Sequence, residues 1–161
     1  MFKAADLSSK TKPELYRQLA LQLHALIDGE DDPVANMANC SALIFNSVPS
    51  LNWAGFYLLK DRMLVLGPFQ GQPACIRIAL GHGVCGTAAE RRSTLRVADV
   101  TKFPGHIACD SASRSEIVIP LVTEDSRLIG VLDVDSPELN RFDAEDEAGL
   151  SEIARLIVPK I

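Results

Sequence analysis

The chain has 161 residues, 47% of them apolar, and a net charge of −5 at neutral pH; this suits a single domain over 1–161, with residues 1–13 expected to be less ordered. Mild acidity argues against a nucleic-acid surface, which needs clustered Lys and Arg. No apolar run approaches the roughly 20 residues of a membrane span and no secretion signal is visible, so the expectations are no nucleic acid, no membrane and a cytoplasmic location, where thiols rest reduced.

Leu15, Leu19, Leu23, Leu26 and Ile27 recur on one face and predict a helix over 14–27, closed by Asp28-Gly29. Asp32 can cap a second helix with Pro33 in its first turn. Val34, Met37, Ser41, Ile44, Phe45 and Val48 continue it until Pro49-Ser50. Residues 53–59 and 63–69 read as a hairpin turned at Lys60-Asp61-Arg62. Residues 75–80 alternate as a third strand, 81–86 read as a flexible loop, 87–92 as a short helix and 95–100 as a strand. Residues 101–115 lack a period and form a long loop, which in a compact domain often carries function. Residues 116–122 and 127–134 make another strand pair, and Asp143 caps a last helix with Leu150, Ile153, Ala154 and Ile157 on its apolar face. Short turns favour antiparallel pairing. The fold class is therefore α+β: a central antiparallel sheet of about six strands, with the N- and C-terminal helices packed on one face.

Three of the four cysteines, Cys75, Cys85 and Cys109, fall between positions 75 and 109, among glycines, histidines and small polar residues. Gly81-His82-Gly83-Val84-Cys85-Gly86 matches a dinucleotide fingerprint. The flanking strands read as hairpins rather than βαβ units, so a glycine-rich turn is the better reading; its amides could still hold a ligand carboxylate. His82/Cys85 and His106/Cys109 are metal-like pairs, but there is no C-x-x-C and no zinc site is expected. Cys109, in a polar loop, is the candidate nucleophile, with loop amides, Arg114 or His106 to lower its pKa. A thiol that becomes oxidised needs a second to resolve it, and Cys75 and Cys85 are both candidates. Cys40 lies beside an apolar helical face and reads as structural.

Asp133 and Asp135 alternate on one face at the end of an apolar strand, and Glu116 opens another. Acids crowded together push one pKa upward and leave a proton donor at neutral pH. Trp53 and Tyr57 share a strand face; they are either core or an aromatic box for a sulfur-bearing side chain.

Together, Asn52-Trp53-Ala54-Gly55-Phe56-Tyr57, the glycine-rich segment 81–86, Cys109-Asp110-Ser111-Ala112-Ser113-Arg114-Ser115-Glu116 and Gly130-Val131-Leu132-Asp133-Val134-Asp135-Ser136 resemble the free methionine-(R)-sulfoxide reductases, single-domain proteins of the GAF fold. The resemblance runs from about residue 14 to the end. It implies reduction of free L-methionine-(R)-sulfoxide, with thioredoxin as reductant and no cofactor or metal. It makes Cys109 the catalytic cysteine, Cys75 the principal resolving one and Cys85 a third thiol near the site. Glu116, Asp133 and Asp135 match acidic substrate contacts, with Glu116 the first choice of proton donor, and Trp53 and Tyr57 match pocket aromatics. The fold is also compatible with a homodimer. The competing reading is a non-enzymatic GAF-type sensor that binds a small ligand or senses redox state, since fold alone does not fix function.

Overall fold

A computed structural model of the protein describes residues 10–107 and 109–161. The expectation of a less ordered N-terminal segment falls mostly on residues 1–9, outside the described residues. Among the described residues there are four α-helices: α1 (Lys12–Ile27), α2 (Pro33–Ser47), α3 (Gly83–Arg91) and α4 (Ala144–Ile157). Six strands, β1 (Trp53–Lys60), β2 (Met63–Gly71), β3 (Arg77–Ala79), β4 (Leu95–Val97), β5 (Ser115–Val122) and β6 (Leu128–Ser136), form one sheet in the order β3-β2-β1-β6-β5-β4. Every pairing is antiparallel.

The helix ends follow from side chains that satisfy otherwise unpaired amides. Asp32 accepts from the Ala35 amide at 2.8 Å, ahead of Pro33 in the first turn of α2. Asp143 accepts from the Glu145 and Asp146 amides at 2.9 and 3.1 Å. At α1, the Glu14 carboxylate accepts from the Thr11 backbone amide and hydroxyl.

Strand alternation divides the sheet into two faces. Ala54, Phe56, Ile117, Ile119, Leu121, Leu132 and Val134 point into a core shared with Leu19 and Leu23 of α1, Ile44 of α2 and Leu150 and Ile153 of α4. Trp53, Tyr57, Val118 and Val131 face the other way, toward Val84, Cys85, Ala88 and Ala89 of α3. The terminal helices thus cover one face, as their place at the two ends of the chain led one to expect. Among the described residues the opposite face is covered by α3 and by long loops, and the site lies there.

Three local readings need correction. The glycine-rich segment is not a loop as far as Gly86: α3 already starts at Gly83. Gly86 is there because a Cβ would strike the Ala79 carbonyl, so the helix lies hard against β3. The strand expected over 75–80 is ordered only at Arg77–Ala79, and that over 95–100 ends at Val97, before a short 3-10 turn at Val100–Lys102 whose Thr101 amide Asp99 caps. The preference for a glycine-rich turn over a dinucleotide site stands, since α3 joins β3 and β4, which lie at opposite edges of an all-antiparallel sheet. The glycine pattern therefore has no βαβ unit around it, and the dinucleotide fingerprint is coincidental.

Candidate active site

Register places the acids. Across neighbouring strands Trp53 is paired with Asp135 and Asp135 with Glu116; in the next inward-facing row Gly55 is paired with Asp133 and Asp133 with Val118. Directly opposed residues share a face, so Glu116, Asp133 and Asp135 converge from β5 and β6 beneath α3. Cys85, on the buried side of α3, closes the group from above and donates to Glu116 Oε1 at 3.7 Å.

The thiols come from two connections. Cys75 lies between β2 and β3, and Cys109 lies in the loop before β5. They form a disulfide with a Cα–Cα separation of 5.3 Å. The Tyr57 hydroxyl donates to the Cys75 carbonyl at 3.0 Å, tying this connection to β1. Cys85 and Cys40 remain free thiols, both buried. Cys40 belongs to the core of the helical face, and burial pushes its pKa up.

A cavity of about 30 Å³ lies between these parts. Cys85, Glu116, Asp133, Asp135, Tyr57 and Cys109 line it, joined by His106, Ile107, Asp110 and Ser113 from the loop. Of the catalytic and substrate-contact residues named from the sequence, Trp53 and Cys75 are absent from its wall. Trp53 sits one ring behind, stacked on Tyr57 at 5.9 Å and on Phe69 at 5.3 Å, with its indole N–H on the Gln72 carbonyl. Cys75 reaches the site through its bond to Cys109.

Burial dominates the electrostatics. It pushes the pKa of Glu116 well up, with Asp133 and Asp135 adding repulsion. It raises Asp135 similarly, with Asp133 next in effect. Asp133 is pushed up to about 6 by burial, against hydrogen bonds from Cys85 and Glu116 that stabilise its charge. Burial, then Asp133 and Glu116, keep Cys85 a thiol. No ion pair reaches any of these three acids among the described residues. The expected help from Arg114 is not there: its side chain is exposed and off the cavity wall, while its backbone amide and carbonyl bind Ser136 and Val100. His106 does line the cavity, but burial lowers its pKa and favours the neutral ring. The two His/Cys pairs do not assemble either, since His82 is exposed and the Cys109 sulfur is bonded to Cys75.

Sequence reasoning missed a hydrogen-bonded brace behind Cys109. Asn52 Nδ2 donates to Asp110 Oδ2 and to Ser113 Oγ, both at 2.9 Å, and its backbone amide donates to the Asp135 carbonyl at 3.1 Å. Asp110 in turn accepts from the Ala112 amide at 2.9 Å. The available signal was the Asp110–Ser113 pattern of an Asx-type turn directly after Cys109.

A family model described as a GAF domain matches residues 36–159. The free methionine-R-sulfoxide reductase of Escherichia coli is 54% identical over 142 residues, covering 88% of this chain and 86% of that protein. The chain belongs to the free methionine-R-sulfoxide reductase family of GAF domains. A reductase of this family from Saccharomyces cerevisiae is 45% identical, over 93% of this chain and 87% of its own. Another, from Neisseria meningitidis, has been solved in complex with its substrate; it superposes with a TM-score of 0.93 at 43% identity, covering 99% of this chain and 95% of that one.

Proposed function

We infer that this chain is an oxidoreductase that reduces free methionine-R-sulfoxide to methionine. The observation that carries the reading is a set of three carboxylates, buried Glu116 and Asp133 and half-buried Asp135, with which no cationic side chain pairs among the described residues, next to a cysteine pair able to form a disulfide. An unpaired buried charge is costly, so such a site suits a ligand that brings its own cation. A free amino acid brings an ammonium group; a residue within a peptide does not. The amides at the start of α3, at Gly83 and Val84 on the cavity wall, suit its carboxylate.

In the proposed reaction the Cys109 sulfur attacks the sulfoxide sulfur. The oxygen passes to Cys109 as a sulfenic acid while the S–O bond to methionine breaks and the thioether leaves. Glu116, kept protonated by burial, supplies the proton that oxygen needs. The Cys75 thiol then attacks the sulfenic sulfur, water carries off the oxygen, and the Cys75–Cys109 disulfide results. A thioredoxin-type dithiol gives up two electrons to restore both thiols. The disulfide-state cavity holds about two waters and no amino acid, so substrate enters after reduction has released the loop bearing His106, Ile107 and Cys109. Among the described residues no helix is long and apolar enough to cross a membrane; a cytoplasmic site of action would keep the reductant at hand.

The test is a thioredoxin-coupled NADPH assay with free methionine-R-sulfoxide, the S epimer and a sulfoxide-containing peptide. Turnover of the free R epimer alone, lost in Cys109→Ser, is expected. Preference for the peptide, or full activity in Cys109→Ser, would defeat the reading.

A further inference from the structure

Cys85 keeps its thiol while Cys75 and Cys109 are joined. Its Sγ and one carboxylate oxygen each from Glu116 and Asp133 lie within 4.8 Å of one another, and all three residues are buried. Ligand atoms bound at ~2.0–2.3 Å around a tetrahedral ion are themselves roughly 3.3–3.8 Å apart. Cys85 Sγ and Glu116 Oε1 are already 3.7 Å apart. A second observation points to a ligand here. Asp133 is only 6% exposed, yet its Oδ1 has no hydrogen-bond partner. His106 Nδ1, from the same cavity's lining, is likewise unpartnered. The cavity of about 30 Å³ has room for a single ion with a bound water.

We propose that Cys85, Glu116 and Asp133 form a site for one thiophilic divalent cation, with Zn²⁺ the type case. One sulfur and two oxygens suit zinc or cobalt and disfavour magnesium, which seeks six oxygens. The cation occupies the carboxylates that the proposed function assigns to the substrate ammonium, so on that reading the two exclude each other. The site itself does not depend on that reading. Because Cys109 is not among the ligands, it is present in the disulfide state.

Cobalt(II) titration of the disulfide-form protein tests this. A thiolate-to-cobalt charge-transfer band should saturate at one equivalent, be abolished by Zn²⁺ and be indifferent to Mg²⁺. Cys85→Ser should remove the band, while Asp133→Asn and Glu116→Gln should each weaken cobalt binding at least about tenfold. Cys40→Ser, which removes the other free thiol, should leave the spectrum unchanged. Absence of the band in wild type, its survival in Cys85→Ser, or undiminished affinity in both carboxamide variants would overturn the site. Should Cys85→Ser not fold, the wild-type spectrum and the two isosteric variants decide the matter. Because the readout is binding and not turnover, a chain that binds cobalt but reduces no methionine sulfoxide would overturn the proposed function alone, and the converse would overturn this site alone.

Discussion

A lone buried acid and a cluster of three acids lie on opposite faces of the same sheet, and they are treated in opposite ways. On the helical face, Asp146 is fully buried and surrounded by donors. Lys12 Nζ reaches it at 2.6 Å, the Tyr16 hydroxyl at 2.8 Å, Arg141 Nη1 at 3.1 Å to both oxygens and the Asp143 amide at 2.9 Å. This acid ties α1, α4 and the segment before α4 together. On the α3 face, Glu116, Asp133 and Asp135 face one another and a thiol, and no cationic side chain pairs with them among the described residues. A buried charge whose partner is supplied by the chain is an element of the fold. One whose partner is missing is arranged for something that arrives.

The comparison can be broken most sharply at Glu116. If it is the proton donor, Glu116→Gln should lower kcat by about 10²–10⁴ while leaving the protein as stable as wild type or more so, because a repelling buried acid is gone. Steady-state kinetics with chemical denaturation checks both halves. Loss of stability without loss of kcat would place Glu116 with Asp146, among the structural acids. The mirror experiment is Asp146→Asn. It leaves Lys12 and Arg141 without their shared counter-charge and should cost about 3–5 kcal/mol in urea unfolding. Turnover per folded molecule should stay within about twofold, since substitutions at well-separated sites act independently.

The two faces were not equally legible in the sequence. The helical face was, because its signals are local: apolar residues at helical spacing, Asp32-Pro33 and Asp143 as caps, and the apolar runs of β5 and β6. The acids, the cysteines and Tyr57 were found through their unusual residue types at strand ends and in loops. Their convergence depends on register, which places Asp135 beside Glu116 from opposite sides of a hairpin, and no single stretch of sequence contains that. The early start of α3 was hidden because two glycines in its first turn lower helix propensity, and tight packing on β3 overrides them. For Trp53 the choice between core and aromatic box stayed open for a similar reason. Period two gives its face, while the bulky neighbours that set its depth, Tyr57 and Phe69, come from the surrounding sheet.

A smaller effect should separate the faces by pH. Asp133 is pushed from 3.8 to about 6 in the folded state. Between those values the folded chain holds a proton that the unfolded chain has lost. The associated stability is complete below about pH 4 and disappears as pH rises through 6. Thermal melts of the substrate-free protein should therefore show Tm falling from about pH 4 to 7. Asp133→Asn should flatten that slope and raise stability at pH 8 by on the order of 2–3 kcal/mol. Glu116 and Asp135, raised by the same burial, act in the same direction and leave part of the slope in place. A variant less stable than wild type at pH 8 would mean that Asp133 holds the fold together.

Asn52 stands on the border between the two kinds of residue. Its side chain reaches Asp110 and Ser113, on either side of the turn after Cys109, and its amide anchors to the Asp135 backbone. It touches the loop that carries Cys109 and the strand that carries Asp133 and Asp135, but it is not on the cavity wall. Asn52→Ala removes two hydrogen bonds, one of them to a carboxylate, and should cost about 1–2 kcal/mol of stability. Its greater effect should be on geometry. With the turn unpinned, Cys109 samples positions away from the line of attack, and kcat should fall about tenfold with KM little changed. The same variant should slow the closing of the Cys75–Cys109 disulfide after a single turnover, which stopped-flow quenching and thiol alkylation can follow. A purely structural brace would lower Tm and leave both rates alone. If that is the outcome, Asn52 belongs with Asp146, and the boundary of the reactive region falls inside the loop at Asp110.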